Sequence, residues 1–258
     1  MVSSHELEFT DQAVTKRYRS WSRGEPTREW LMLRLLDRHT PGLAPRPIRS
    51  DLNADPPWIT MSLLPGQALA ASMSAWVSAE PIRALVEAIT TLWEIPFDLP
   101  GDLGILDDLA FARRLMMIPL PAEPEAASAV EAAEAWWDGP DPKLLQSEPP
   151  ARILGHRDPN LANYLWDGTR VHIVDFEDAA PSDPATEVAL LVEHLSTRGM
   201  DSDDLSAQFV VDPARLLAAR RAWAMYWLWM LLPGGPSHPR NPADAAKGQA
   251  LRLLRLLQ

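Results

Sequence analysis

Residues His156 to Asn163 read HRDPNLAN, and residues His172 to Asp178 read HIVDFED, so Asp175 comes twelve positions after Asn163. Between the two stretches lies Asp167-Gly168, set between the apolar runs that end at Trp166 and resume at Val171. Asp-Gly between apolar runs is a strong short-range hairpin signal, because both residues tolerate positive φ. The spacing therefore predicts a strand pair, Asn163 to Trp166 and Arg170 to Phe176. With a two-residue loop, Asn163 would face His172, leaving Asp175 three positions further along, ~10 Å on a straight strand. The chain is expected to bend there. Pro159 and Asn160 supply an irregular loop before the first strand, which keeps Asp158 near the same open end.

Three oxygen-bearing side chains at one end of a hairpin suit phosphoryl transfer, which asks a protein for positioning and charge neutralisation more than covalent chemistry. Mg2+ takes hard oxygen ligands and keeps several waters and substrate phosphates, so one Asn and one Asp suffice from the protein. Asp158 is then left to accept the hydrogen bond of an acceptor hydroxyl. As turn caps or surface charges, the same residues would carry no chemistry.

On these residues the chain resembles the protein-kinase-like superfamily, in particular its aminoglycoside phosphotransferase and choline kinase group. HRDPNLAN matches the H-x-D-x-x-x-x-N loop of the group. VDFEDA is similar to its metal-binding segment, and Asp183-Pro184 with Glu187 before an apolar helix is similar to the stretch after that segment. The resemblance implies Asp158 as the catalytic base, Asn163 and Asp175 as ligands of Mg2+, and ATP or GTP as phosphate donor. Glu177, Asp178 and Glu193 are implied as acceptor-side or supporting residues, and His156 and Asp183 as structural support of the loop.

The same resemblance implies a strand Lys oriented by a helix Glu. Lys16, in Val14-Thr15-Lys16, is one of only three Lys in the chain, which makes it stand out in an Arg-rich sequence. Glu29 opens the helical stretch EWLMLRLL and would be its partner. Met61, Ser62 and Leu64 fall where the group joins its lobes and binds adenine through main-chain atoms. Fifteen residues precede Lys16 and none is Gly. The glycine-rich loop of the group is thus expected to be missing, through a shortened lobe or a start further upstream.

Outward from these motifs, Leu7 to Tyr18 alternates in character around Asp11-Gln12 and predicts a short hairpin. Thr27 is a candidate N-cap for a helix over Arg28 to Arg38, and WITMSLL at Trp58 to Leu64 predicts a buried strand. From Gly66 the texture becomes helical, with helices expected over Glu80 to Ile95, Leu106 to Ile118, Glu123 to Trp137, Pro184 to Thr197, Pro213 to Leu232 and Ala243 to Leu257. Pro119 to Pro124 and Gly139 to Pro150 read as loops. The fold class is α+β: a small β-rich lobe over 1–64, apparently shortened, then a larger helical lobe over 65–258 with the catalytic loop, metal site and acceptor site.

A hydrophobic share of 47% in 258 residues is enough for a substantial core. The absence of Cys excludes disulfides and thiolate chemistry, and the first residues lack the apolar core of a signal peptide, so a cytoplasmic location is expected. The longest apolar run, Ala222 to Leu232, is short of the ~20 residues that span a bilayer. The net charge of −11 argues against nucleic acid and favours a small cationic acceptor. The expected activity is an ATP-dependent kinase for a hydroxyl of a small molecule, such as an aminoglycoside or another antibiotic. A choline-like metabolite kinase and a catalytically idle nucleotide- or ligand-binding relative are the alternatives, and the oligomeric state is left open.

Overall fold

The alternating first stretch forms an antiparallel hairpin, β1 (His5–Phe9) and β2 (Ala13–Tyr18), in the computed structural model, which describes residues 5–71, 79–98 and 103–258. Helix α1 (Glu25–His39) comes next, then strands β3 (Pro47–Asp51) and β4 (Trp58–Ser62). The four strands form one antiparallel sheet in the order β1-β2-β4-β3, with α1 against β3 and β4. Tyr18, Met32, Leu33, Leu36 and Ile59 are its buried centre.

Two local expectations are corrected here. Helix α1 starts at Glu25, three residues before the expected start, with Gly24 rather than Thr27 at its N-cap. Pro26 fits the first turn, where its missing N–H is no loss, and the Glu25 carboxylate accepts the Ser22 and Arg23 amides at 3.0 and 2.8 Å. Strand β3 was not expected, because Pro45 and Pro47 mask it. As an edge strand it tolerates a residue that cannot donate to the ladder.

The described residues up to 98 form one compact unit with 153–180; the described residues 103–152 and 181–258 form a second. In the first unit, β5 (Gln67–Ala68) pairs with β7 (Tyr164–Trp166), which pairs with β8 (Val171–Ile173). Helix α2 (Ala79–Trp93) packs on β8 and on β6 (Ile153–Gly155). Gly66, just before β5, is left-handed at φ 108, and a Cβ there would come 2.6 Å from the Trp166 carbonyl oxygen. Only glycine fits that approach.

The β7–β8 register differs from expectation in a way that matters. The turn has four residues, Asp167 to Arg170, so Leu165 faces His172 and Tyr164 faces Ile173. The cause is the Asp167 side chain, whose Oδ1 accepts the Thr169 amide, the Thr169 hydroxyl and the Arg170 amide at 2.8, 2.8 and 2.9 Å. This local capture outcompetes the two-residue turn.

The second unit is helical: α3 (Ile105–Ala112) continued by a 3-10 turn, α4 (Pro124–Trp137), α5 (Asp141–Gln146), α6 (Pro184–Glu193), α7 (Ser202–Ser206), α8 (Pro213–Leu231) and α9 (Ala245–Leu257). Helix α8 packs on α3, α5, α6 and α9, and buried alanines such as Ala218, Ala219 and Ala222 allow close approach. Helix α5 lies where a loop was expected, with Pro142 in its first turn. No helix among the described residues is long and apolar enough to cross a membrane.

Candidate active site

Lys16 projects from β2 and is only 4% exposed. Its ammonium donates to Glu29 Oε2 at 2.7 Å, Asp175 Oδ1 at 2.5 Å and Glu177 Oε2 at 2.9 Å. Burial alone would lower the Lys16 pKa, but the three carboxylates outweigh it and raise the value well above the ordinary one. Lys16 is therefore held as a cation. Burial likewise pushes Glu29 toward its neutral form, with the Lys16 charge pulling the other way. Tyr18 adds a hydroxyl hydrogen bond to the same Glu29 oxygen.

Because the turn has four residues, the Val174 amide donates to the Asn163 carbonyl at 2.9 Å and Asp175 comes next in the chain. The expected ~10 Å gap of a straight strand does not arise. The bend lies at Asp175 itself, whose φ is 69. Arg157, beside Asp158, is the other non-glycine residue with positive φ among the described residues, at 68.

Asn163 Nδ2 donates to Asp158 Oδ2 at 2.8 Å, and the Asn160 amide donates to Asp158 Oδ1 at 3.3 Å. His156 is buried, with Nδ1 2.8 Å from the Asp158 carbonyl and Nε2 2.9 Å from the Val174 carbonyl. It thereby ties the loop of Asp158 to the strand end leading to Asp175. Lys16, Glu29, Met61, Ser62, Leu64, Asn163 and Asp175 all line one cavity of about 340 Å³. Asp158 does not line it.

A sequence model of the Phosphotransferase enzyme family matches residues 7–226. The chain belongs to this family. No curated protein matches it in sequence. Among solved structures, a choline/ethanolamine kinase family protein from Mesorhizobium loti superposes with a TM-score of 0.75 at 16% identity, covering 99% of this chain and 86% of that one. A choline kinase from Streptococcus pneumoniae has a TM-score of 0.63 at 14% identity, covering 98% and 89%. A GDP complex of aminoglycoside 2'-phosphotransferase-IIIa has a TM-score of 0.63 at 17% identity, again covering 98% and 89%. At such identities the likeness concerns the fold, which is protein-kinase-like.

The remaining expected residues of this phosphotransferase lie in different surroundings. Glu177 binds Lys16 and also His5, whose Nε2 is 2.8 Å from Glu177 Oε2. Burial would raise the Glu177 carboxyl, but the His5 hydrogen bond and the Lys16 charge hold it down, at about 2. Asp178 is paired with Arg23 at 2.9 Å. Glu193 corrects an expectation: it is 0% exposed, with Arg252 on both oxygens and Arg220 on one. Its carboxylate is taken up inside the second unit and is not presented to an acceptor. Asp183 caps α6, accepting from the Thr186 amide at 3.1 Å, and pairs with Arg215.

Sequence reasoning missed His5, Leu7 and Phe9, which alternate on β1 and line the same cavity. Their period of two was visible, but nothing in the sequence showed which face the cavity lies on.

The donor set fits a hard divalent cation. Asn163 Nδ2 is committed to Asp158, and Asn163 Oδ1 accepts no hydrogen bond among the described residues. Asp175 Oδ2 is in the same position, and both residues line the cavity. His5, Asp175 and Glu177 also offer ligand atoms within 4.8 Å of one another, although the Lys16 ammonium binds two of these carboxylates.

Proposed function

We propose that this phosphotransferase moves the terminal phosphoryl group of ATP or GTP to a hydroxyl of a small molecule in the cytoplasm. The observation that carries the reading is the buried Lys16, fixed as a cation between Glu29 and Asp175 in the lining of a largely apolar cavity. Such a Lys suits the phosphates, and Leu7, Phe9, Val14 and Met61 suit a nucleotide base. In this reading residues 1–64 supply the nucleotide side, with Ser62 and Leu64 at the base. Residues 65–258 supply the catalytic loop, metal pair and acceptor side.

Asn163 and Asp175 would hold Mg2+, which supplies neutralisation of phosphate charge when bound. Asp158 accepts the hydroxyl proton as the acceptor oxygen forms its bond to phosphorus, and the nucleoside diphosphate departs with the electrons of the broken P–O bond. The Asn163 amide and the Asn160 N–H keep the Asp158 carboxylate oriented. An amine-bearing acceptor rests on the net charge of −11, since Glu193 and Asp178 are committed to arginines.

Calorimetry with Mg-ATP and Mg-GTP tests the donor, and incubation with aminoglycosides, other antibiotics and amino alcohols tests the acceptor. Asp158→Ala is expected to lower transfer by ~10²-fold or more while leaving nucleotide binding intact. Absence of nucleotide binding by the native chain would refute the reading.

A further inference from the structure

His172 plays no part in the chemistry above, yet it is 0% exposed and bridges two elements that carry the site. Its Nε2 lies 2.9 Å from Asp167 Oδ2, in the turn between β7 and β8. Its Nδ1 lies 2.6 Å from the Gly42 carbonyl, in the loop after α1. One residue on, the Ile173 amide donates to the Leu43 carbonyl at 2.8 Å. Helix α1 carries Glu29, and the hairpin carries Asn163 and leads into Asp175.

We propose that His172 is a positioning residue for the phosphoryl transfer. The Asp167 carboxylate sets the four-residue turn through Oδ1, and that turn alone brings Asn163 opposite Val174. By binding Oδ2, His172 fixes the carboxylate in the orientation the turn requires. By binding Gly42 it fastens the end of the Glu29 helix to the same strand. His172 touches no substrate. Its effect passes through the register of the metal pair, so the inference rests on the reading of Asn163 and Asp175 as that pair. A buried histidine that only filled space would be replaceable by an apolar residue without any change at Asn163.

Asn and Gln separate the two bonds, since a side-chain amide of Asn can take the place of Nδ1 and that of Gln the place of Nε2. His172→Asn, His172→Gln and His172→Leu are compared by hydrogen exchange at the Val174 amide, by Mn2+ affinity in the presence of nucleotide, and by thermal unfolding. His172→Leu is expected to speed Val174 exchange and to weaken Mn2+ binding by ~10–100-fold, the usual consequence of losing a group that orients a metal ligand. Nucleotide affinity without metal should stay unchanged. His172→Gln, which keeps the Asp167 bond, should recover most of the loss, and His172→Asn less. Lower melting temperatures in all three with unchanged Val174 exchange and Mn2+ affinity would overturn the proposal. If His172→Leu does not fold, the Gln and Asn pair decides, equal losses counting against it. Failure of the native chain to bind metal and nucleotide would instead strike the functional reading, and Val174 exchange would still decide the part about register.

Discussion

Lys16 and Glu29 form an ion pair at 2.7 Å with both side chains almost wholly buried, at 5% and 1% exposure. Two charges so placed are stable only together. Lys16→Met leaves Glu29, Asp175 and Glu177 without their common cation, and a broken buried pair costs about 3–5 kcal/mol. Urea unfolding should show that loss, and Lys16→Met with Glu29→Met should cost less than the two single changes added together.

The acid limb of stability carries the mark of Glu177. Its carboxyl is depressed from 4.5 to about 2 in the folded chain. The unfolded chain therefore takes up the proton first, and stability present above about 4.5 is lost as pH falls toward about 2. Lys16 is raised above its ordinary 10.5, so its contribution is complete below that value and lost at more alkaline pH. Unfolding midpoints measured across pH should track both limbs, and Glu177→Gln should flatten the acid one.

Asn163→Ala removes a proposed oxygen ligand, and Asp175→Asn replaces a charged one with a weaker, neutral amide oxygen. Mn2+ binding in the presence of nucleotide should weaken in both, and transfer should need more Mg2+. Metal-free nucleotide binding should survive. An unaltered metal requirement in both variants would exclude the pair as ligands.

Glu193→Ala should act on stability alone. It removes the buried carboxylate shared by Arg220 and Arg252 inside the helical unit, leaving Arg220 the exposed Asp203 as its only carboxylate partner, and a loss of about 3–5 kcal/mol in denaturant unfolding is expected. Preference among acceptors should not change.

Gly66→Ala forces a side chain onto a left-handed backbone and against the Trp166 carbonyl. The cost should be about 1–3 kcal/mol, read from thermal or denaturant unfolding, with β5 and β7 opening first in hydrogen exchange.

Much of this arrangement is legible in the sequence. Spacing located the HRDPNLAN loop, the hairpin and the Lys16 strand, because short motifs and alternation are local properties of the chain. The turn length was not readable, since Asp167-Gly168 permits both two- and four-residue loops, and the choice falls to Thr169 and Arg170 binding one carboxylate. The acceptor side of the Glu193 reading failed for a related reason: nothing local to an acidic residue near a helix end reveals that Arg198, Arg220 and Arg252 surround it. His5 and Phe9 were equally hidden, because a strand pattern shows two faces and never says which one a cavity shares.

Arg157 and Asp175 both hold a left-handed backbone conformation, at about 1–2 kcal/mol for the arginine and less for the aspartate. Glycine would relieve each. At 175, however, glycine would also discard the carboxylate that binds the buried Lys16 and that the proposed metal site needs, so relief of the backbone there is offset by a buried cation left with one partner fewer. The sequence at 175 thus accepts an awkward backbone in order to keep one carboxylate that serves both the Lys16 cation and the proposed metal site.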